Sequence, residues 1–288
     1  MFDDEYPWTG REINPFPTLM VIGDALKDVY YKGSWSAKNG VERFKRDLAI
    51  EECHMGGAAN AYINAKEILS NKARVIDWMN TKPLPLYRLV GPEKTIECYL
   101  DLVHHELLTL PPTAYAKVTG IIISDYNKGT VNSARPQCAP SADWLIVDSR
   151  YRSVHPSWLE SAPIKIWRCT GDEFDHEWAK QFDYVVHTNG AAKISLYAYR
   201  EGQQHLLHRC EAPIIDPVDT CGAGDTFTAA LASYLLLGRG RCPMYLMEKI
   251  TPEEAARSDL LRSAIPFCIE AAQDVCMKPY TAITSKRL

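Results

Sequence analysis

Four short, continuously apolar runs constrain the fold of this chain more than any other feature. Each run is rich in β-branched or aliphatic residues and ends in small or acidic residues, as buried parallel strands do. They are "TLMVIGD" (18–24), "GIIISD" (120–125), "DWLIVDS" (143–149) and "DYVVHTNG" (183–190). Segments of helical composition alternate with them: "GAANAYINAKEIL" (57–69), "EFDHEWAKQF" (173–182), "GDTFTAALASYLLL" (224–237) and "DLLRSAIPFCIEAAQDVC" (259–276). This alternation predicts a three-layer α/β domain with a mostly parallel central sheet.

Two further segments have the partly alternating pattern of short antiparallel strands. They cover about residues 28–53 and 94–103 and predict a β flap that could cover a site. The stretch "NTKPLPLYRLVGPEK" (80–94) is too rich in proline for a helix interior, and we expect a loop there. The sequence has no internal repeat and no obvious interdomain linker. We therefore predict a single domain over residues 1–288, with the two flap segments as its lid.

Composition narrows the functional classes. With 288 residues and 46% hydrophobic residues the chain can bury a sizeable core. A net charge of -4 provides no cationic field for nucleic acid or anionic lipid, so we expect neither partner. Nine cysteines occur without a CxxC pair, which indicates reduced thiols. The N-terminus is not a secretory signal and no apolar run reaches the roughly 20 residues of a membrane span, so we expect a cytoplasmic protein.

The stretch "DTCGAGDTF" (219–227) places glycines between two aspartates and runs directly into a predicted helix. Gly222 and Gly224 lack the Cβ atoms that would keep an anion away from backbone N–H groups at the positive end of the helix dipole. The stretch therefore predicts a phosphate cradle. It lacks the lysine of a P-loop and is not G-x-G-x-x-G, so it meets neither usual nucleotide motif.

Asp225 falls in the first turn of that helix, beside the predicted phosphate. A carboxylate there can accept the proton of an attacking hydroxyl, which would make it the base of a phosphoryl transfer. Spacing alone leaves a second interpretation open, in which Asp225 only caps the helix.

With the other motifs of the chain added, the sequence resembles the ribokinase-like, or PfkB, family of carbohydrate kinases. "DTCGAGDTF" resembles the D-T-x-G-A-G-D signature of that family, and the resemblance extends from about residue 18 to residue 282. Its nearest branch is that of the D-glycero-D-manno-heptose-7-phosphate kinases, which carry G-D-x-x-x-D-x-Y, G-G-A-A-N and S-D-Y-x-K-G. The matching stretches are "VIGDALKDVYYKG" (21–33), "GGAANAYINA" (56–65), "IIISDYNKGTV" (121–131) and "LIVDSRYR" (145–152).

The resemblance implies a three-layer α/β/α ribokinase-like fold with a small antiparallel lid, and an enzyme that uses ATP and Mg²⁺. It implies that Asp225 is the catalytic base and that the substrate is a sugar or a sugar phosphate. It also implies a homodimer formed through the lid. The residues of the implied anion hole are Cys221, Gly222, Ala223 and Gly224.

The other implied site residues follow strand ends and glycine turns, where open α/β sheets bind ligands. A second interpretation stays open for some of them, in which Asp24 and Asp28 are solvated loop acids and the stretches at Gly56–Gly57 and Lys128 are ordinary turns. Those implied for substrate binding are Asp24, Asp28, Gly56, Gly57, Asn60, Asp125 and Lys128. Those implied for the nucleotide are Thr188, Gly190, Asp219 and Thr220, and Glu173 would hold the metal through water.

The chain also departs from the family pattern. Thr170 replaces the asparagine of the N-x-x-E motif, and Asn189 replaces the basic residue of a T-R-G strand end. Only about 25 residues, 70–94, stand where the family has a strand, a helix and a strand. This trimmed region puts the heptose assignment in doubt more than the kinase assignment.

Two other functions stay open. A nucleoside kinase of the same fold would stack its base on aromatic residues of the flap, such as Tyr30 or Trp35. A non-catalytic protein would bind a nucleotide or sugar without turnover, although the intact Asp219, Gly222, Gly224 and Asp225 argue against it.

Overall fold

The computed structural model describes residues 17–38, 41–79, 83–90, 95–99, 117–137, 139–190, 192–238 and 250–288, which form two β-sheets and the helices that cover the larger one. The strands are β1 (Thr18–Gly23), β2 (Ala25–Lys38), β3 (Val41–Gly57), β4 (Arg74–Met79), β5 (Leu84–Val90), β6 (Thr95–Tyr99), β7 (Lys117–Asp125), β8 (Ser141–Ser149), β9 (Ile164–Thr170), β10 (Tyr184–Asn189), β11 (Lys193–Arg200) and β12 (Gln203–Cys210).

The larger sheet has eight strands in the order β12-β11-β10-β9-β8-β7-β1-β4. The six strands from β4 to β10 in this order are parallel, and β11 and β12 add antiparallel pairs at one edge. All four apolar runs of the sequence are strands of the parallel part.

The smaller sheet has the order β3-β2-β5-β6. Strands β2 and β3 pair antiparallel, as do β5 and β6, whereas β2 and β5 pair parallel. The predicted flap segments supply β2, β3 and β6, while residues 39–40, 94 and 100–103 of those segments lie outside the described residues. The predicted α/β class, with a mostly parallel sheet and a separate small sheet, is confirmed.

The prediction of a loop over residues 80–94 is wrong for Leu84–Val90, which forms β5, and residues 80–82 and 91–94 lie outside the described residues. Within the described residues, Pro85 pairs with Lys27 of β2, and the pairing of β5 with β6 starts at the next residue, Leu86. The short segment before residue 94 also keeps a complete strand of the larger sheet, since β4 pairs with β1 along its whole length.

The helices are α1 (Ala58–Leu69), α2 (His176–Ala179), α3 (Ala223–Gly238) and α4 (Ile250–Cys276). The predicted helix 173–182 is reduced to the single turn of α2, because a 3-10 turn closed by the Thr170–Glu173 capping box comes first. None of the helices in the described ranges is long and apolar enough to cross a membrane.

Both faces of the larger sheet are buried, which explains why its strands are continuously apolar. Leu19 and Val21 of β1 pack into a core shared with α1, α3 and α4. Met20 and Ile22 face the opposite core, which Trp158 and other residues of short helices and loops cover. Because the parallel strands all end at the same edge, the polar residues that follow β1, β7, β8, β9 and β10 meet there.

Candidate active site

Asp225, the third residue of α3, is buried with 5% of its surface exposed. Its Oδ2 atom accepts a hydrogen bond from Asn60 Nδ2 at 3.2 Å, and its Oδ1 atom accepts one from the Tyr126 hydroxyl at 3.0 Å. The partners belong to α1 and to the loop after β7. The carboxylate is therefore held by side chains from two other elements.

The environment of Asp225 disfavours its ionised form. Burial, followed by the charge of nearby Asp148, raises its pKa to about 7, and the hydrogen bonds from Asn60 and Tyr126 only partly offset this. Asp28 also raises the pKa. A carboxyl group that titrates near neutral pH is well matched to general base catalysis.

The glycine loop before α3 packs against side chains from elsewhere in the chain. Gly222 has a φ of +79°, which favours glycine, and a Cβ there would lie 2.6 Å from Asn60 Nδ2 and 2.9 Å from Thr281 Cγ2. A Cβ at Gly224 would lie 2.8 Å from Arg168 Nη1. The sequence analysis predicted that an anion would occupy the space beside both glycines. In the structure Asn60, Thr281 and Arg168 border that space.

The remaining residues of the loop shape its backbone. The N–H of Cys221 donates to Asp219 Oδ1 at 2.9 Å, and the N–H of Ala223 donates to the Thr220 carbonyl at 3.3 Å. Asp219 thus closes the turn that delivers the glycines to the start of α3.

On the lid side, Asp28 is the buried polar group that faces the glycine loop. Both of its oxygens lie 3.5 Å from Arg88 Nη2, and the Thr281 hydroxyl donates to Oδ2. A Cβ at Gly56 would lie 2.8 Å from the same carboxylate, so any other residue there would have to displace Asp28. Tyr30 shares a 2.8 Å hydrogen bond with Thr281. The lid and the segment after α4 therefore meet at Asp28.

Asp24 organises the loop after β7. Its carboxylate accepts hydrogen bonds from the backbone N–H groups of Tyr126, Lys128 and Thr130 at 2.9, 2.9 and 3.2 Å. Gly57, with a φ of +59°, lies against the Asp24 carbonyl oxygen, which a Cβ would approach to 2.5 Å. Asp24 therefore fixes the loop that carries Tyr126. The backbone N–H of Lys128 is one of the groups through which it does so.

Asp125 ties that loop to the turn after β8. Its oxygens accept from the hydroxyl groups of Ser149 and Ser153 at 2.6 and 2.7 Å and from the N–H of Asn127 at 2.9 Å. Burial raises the pKa of Asp125. The Asp125 carboxylate is thus hydrogen-bonded to three neighbouring residues.

A cavity of about 530 Å³ opens on the other side of Gly224. One wall is apolar and includes Ile215, Phe227 and Ile269, and the end near Gly224 is polar. A concave site of this size with a few convergent polar groups fits a nucleotide. Of the residues predicted for the nucleotide and the metal, Thr188, Gly190, Thr220 and Glu173 line this cavity. Arg168 and Thr170, which were not predicted as binding residues, line it too.

Glu173 is the carboxylate available to a metal at this cavity. Its Oε2 accepts from the N–H of Thr170 at 2.8 Å, so the replacement of asparagine by threonine still leaves the glutamate held in place. Burial raises the pKa of Glu173. The described residues contain no cluster of three or more potential metal-ligating His, Cys, Asp or Glu side chains. Mg²⁺ commonly takes one or two carboxylates plus substrate phosphates, and Glu173 fits that donor set.

Sequence reasoning missed four residues of this site. Tyr126 could have been found, because it directly follows the end of β7 at the sheet edge where open α/β sheets bind ligands. Arg88 was hidden by the wrong loop prediction. For Arg168 and Thr281 no local pattern gave a signal.

Neither a protein-family model nor a curated protein matches the sequence. Solved structures do match. Ribokinase from Thermotoga maritima superposes with a TM-score of 0.62 at 12% identity, covering 94% of this chain and 97% of that chain. A nucleoside kinase from Methanocaldococcus jannaschii gives 0.54 at 12%, covering 94% and 95%. Arabidopsis thaliana ribokinase, complexed with ribose and ATP, gives 0.51 at 14%, covering 94% and 96%. The chain therefore has the ribokinase fold.

We predict that Asp24→Ala lowers the free energy of unfolding by about 3 kcal/mol or more, because three backbone N–H groups lose a charged acceptor. Urea unfolding followed by circular dichroism measures this. The control Asp77→Ala, at an exposed position of β4, should change it by less than about 0.5 kcal/mol. Equal stability of the two variants would contradict the anchoring role.

Proposed function

We propose that this chain is an ATP-dependent kinase of the ribokinase-like family that phosphorylates a hydroxyl of a sugar or sugar phosphate. The observation that carries the proposal is the buried Asp225 carboxylate, with its raised pKa, at the start of α3 between the lid and the cavity. The fold it shares with ribokinases, one of them complexed with ribose and ATP, supports the same reaction class.

In the proposed reaction the substrate hydroxyl attacks the γ-phosphorus of ATP in line. The new O–P bond forms as the bond to the ADP oxygen breaks, and the hydroxyl proton passes to Asp225. Asn60 and Tyr126, by donating to the two carboxylate oxygens, keep Asp225 oriented toward the attacking group.

The backbone of Cys221, Gly222, Ala223 and Gly224 lies at the positive end of the α3 dipole, where it can stabilise the charge of the transferring group. Bound Mg²⁺ would neutralise charge on the phosphates. Glu173 would hold it through water. Thr188, Gly190 and Thr220 would contact the nucleotide in the cavity, with Asp219 shaping the turn beside them.

On the substrate side, we propose that Asp28, Gly56 and Asn60 contact the sugar, and that Asp24, Gly57 and Asp125 act through the loops that they hold. A heptose-phosphate-like substrate rests on the motif resemblance, with Lys128 as the candidate phosphate ligand. Lys128 is half-buried at the loop after β7.

A nucleoside kinase is supported by the aromatic cluster beside Asp28. Tyr30 is buried, and its ring centroid lies 4.8 Å from that of Tyr280 and 5.7 Å from that of His54. A base could stack on the edge of this cluster. The structural match to an archaeal nucleoside kinase agrees with this alternative.

A non-catalytic binding protein is favoured by one contact. Thr281 donates its hydroxyl to Asp28 and places its methyl group against Gly222, so it lies between the lid and the glycine loop. A sugar that uses Asp28 would have to compete with this hydroxyl.

The lid also bears on assembly. Among the described strands, β3 and β6 are the outer ones of the small sheet, and an outer strand can pair with the same strand of a second copy. We propose a homodimer through the lid, and light scattering should give twice the mass of one chain. A monomer at all concentrations would contradict it.

We predict that ADP release is detected with at least one member of a panel of sugars, sugar phosphates and nucleosides, and that Asp225→Asn lowers kcat by about 10²-fold or more because the base is lost. Asp216→Asn, an exposed change in the preceding loop, is the control and should keep the rate. ATP binding without turnover on the whole panel would favour the non-catalytic alternative. An unchanged rate for Asp225→Asn would reject this residue as the base.

We further predict that kcat rises with pH and levels off above an apparent pKa of about 7, because only the ionised Asp225 accepts the proton. Tyr126→Phe removes a hydrogen bond that lowers this pKa, so its profile should move to higher pH. Tyr151→Phe, at an exposed position, should leave the profile in place. Rates measured from pH 5.5 to 9 test this, and a flat profile would contradict it.

A further inference from the structure

Arg168 on β9 is a buried cation at the junction of the cavity and the glycine loop. Its side chain lines the cavity, and only 9% of the residue is exposed. It belongs neither to the predicted nucleotide residues nor to the residues that hold Asp225. Its position therefore needs its own explanation.

The contact with Gly224 fixes where the guanidinium lies. A Cβ at Gly224 would come within 2.8 Å of Nη1 and 3.1 Å of Nη2. Gly224 is the second residue of α3, so the guanidinium covers the helix N-terminus on its cavity side. Arg168, Ala223 and Gly224 all line the cavity, so a group bound there lies close to both the guanidinium and the start of α3.

Within the described residues, the hydrogen bonds of the guanidinium do not use all of its N–H donors. Nη1 donates to the two Asp148 oxygens at 3.3 and 3.5 Å, and Nη2 donates to the Thr188 hydroxyl at 3.2 Å. Nε is buried, and within the described part of the chain it has no hydrogen-bond partner. A guanidinium has five N–H donors, so this arrangement leaves capacity for an anion with several acceptor oxygens.

The surrounding charges keep Arg168 protonated and in place. Burial opposes its charge, but Asp148 and Glu173 outweigh burial and raise the pKa. Asp148 is itself held by the Thr228 hydroxyl of α3 at 2.6 Å. The ion pair therefore joins β8, β9 and α3 at the point where the cavity meets the glycine loop.

We propose that Arg168 binds the terminal phosphates of the nucleotide above Gly224 and stabilises the negative charge of the phosphoryl group during its transfer. This inference rests on the proposed function. Asn189, at the end of β10, is uncharged where the family motif has a basic residue. Arg168 on the neighbouring strand β9 supplies a positive charge instead. In the transfer the bond from phosphorus to the ADP oxygen breaks as the bond to the substrate oxygen forms, and Arg168 donates hydrogen bonds throughout without giving up a proton.

The test compares the dissociation constants of ATP, ADP and AMP by isothermal titration calorimetry. Arg168→Gln should weaken ATP and ADP by about tenfold or more, the loss of one or two charge-assisted hydrogen bonds, and change AMP by less than about twofold. Arg200→Gln removes an exposed arginine at the far end of β11 and should leave all three constants unchanged.

Removal of Arg168 alone leaves Asp148 without its ion-pair partner, so a second variant is needed. The double variant Arg168→Gln and Asp148→Asn removes both charges, and it should show the same selective loss of ATP and ADP. Thermal unfolding confirms that each variant is folded.

The outcomes separate the two proposals. The role of Arg168 would be overturned if the wild-type protein binds ATP and the variants bind it just as tightly. It would also be overturned if the variants lose affinity for ATP and AMP equally. Either result would leave the kinase proposal standing. Wild-type protein that binds no nucleotide would reject the kinase proposal and this inference together. A selective loss of ATP and ADP supports both.

Discussion

A buried carboxylate that accepts hydrogen bonds from three backbone N–H groups fixes the edge of the larger sheet where the candidate site lies. Asp24 follows β1, and its bonds to Tyr126, Lys128 and Thr130 fix the loop that follows the neighbouring strand β7. That loop carries the Tyr126 hydroxyl to Asp225. The position of the candidate base therefore depends on an aspartate that, in the structure, does not contact it.

The glycine loop is also fixed by residues that are distant in the sequence. Gly222 leaves room for the Asn60 amide and the Thr281 methyl group, and Gly224 leaves room for the Arg168 guanidinium. The glycines bring side chains from three elements or segments (α1, β9 and the segment after α4) within reach of one helix N-terminus. The proposed anion site therefore has a guanidinium and an amide beside its backbone N–H groups, in addition to the backbone itself.

Prediction from sequence succeeded where one local pattern had one physical cause. Both faces of the larger sheet are buried, so β1, β7, β8 and β10 are continuously apolar and were found. It failed at Leu84–Val90, because the prolines of the surrounding stretch outweighed the apolar residues that pair in β5. It also overestimated the helix at 173–182, where the bond between Thr170 and Glu173 forms a separate turn and leaves only α2.

The sequence by itself determined the α/β class, the glycine turn at the start of α3 and Asp225 as the candidate base, because each is a property of residues close together in the chain. Only the tertiary structure decided the partners of that base. Asn60 lies 165 residues from Asp225 and Tyr126 lies 99 residues away. Strand order and packing bring such residues together, and no short-range pattern specifies them. The same reason separates Asp24, which the fold uses as an anchor, from Asp28, which it turns toward the site.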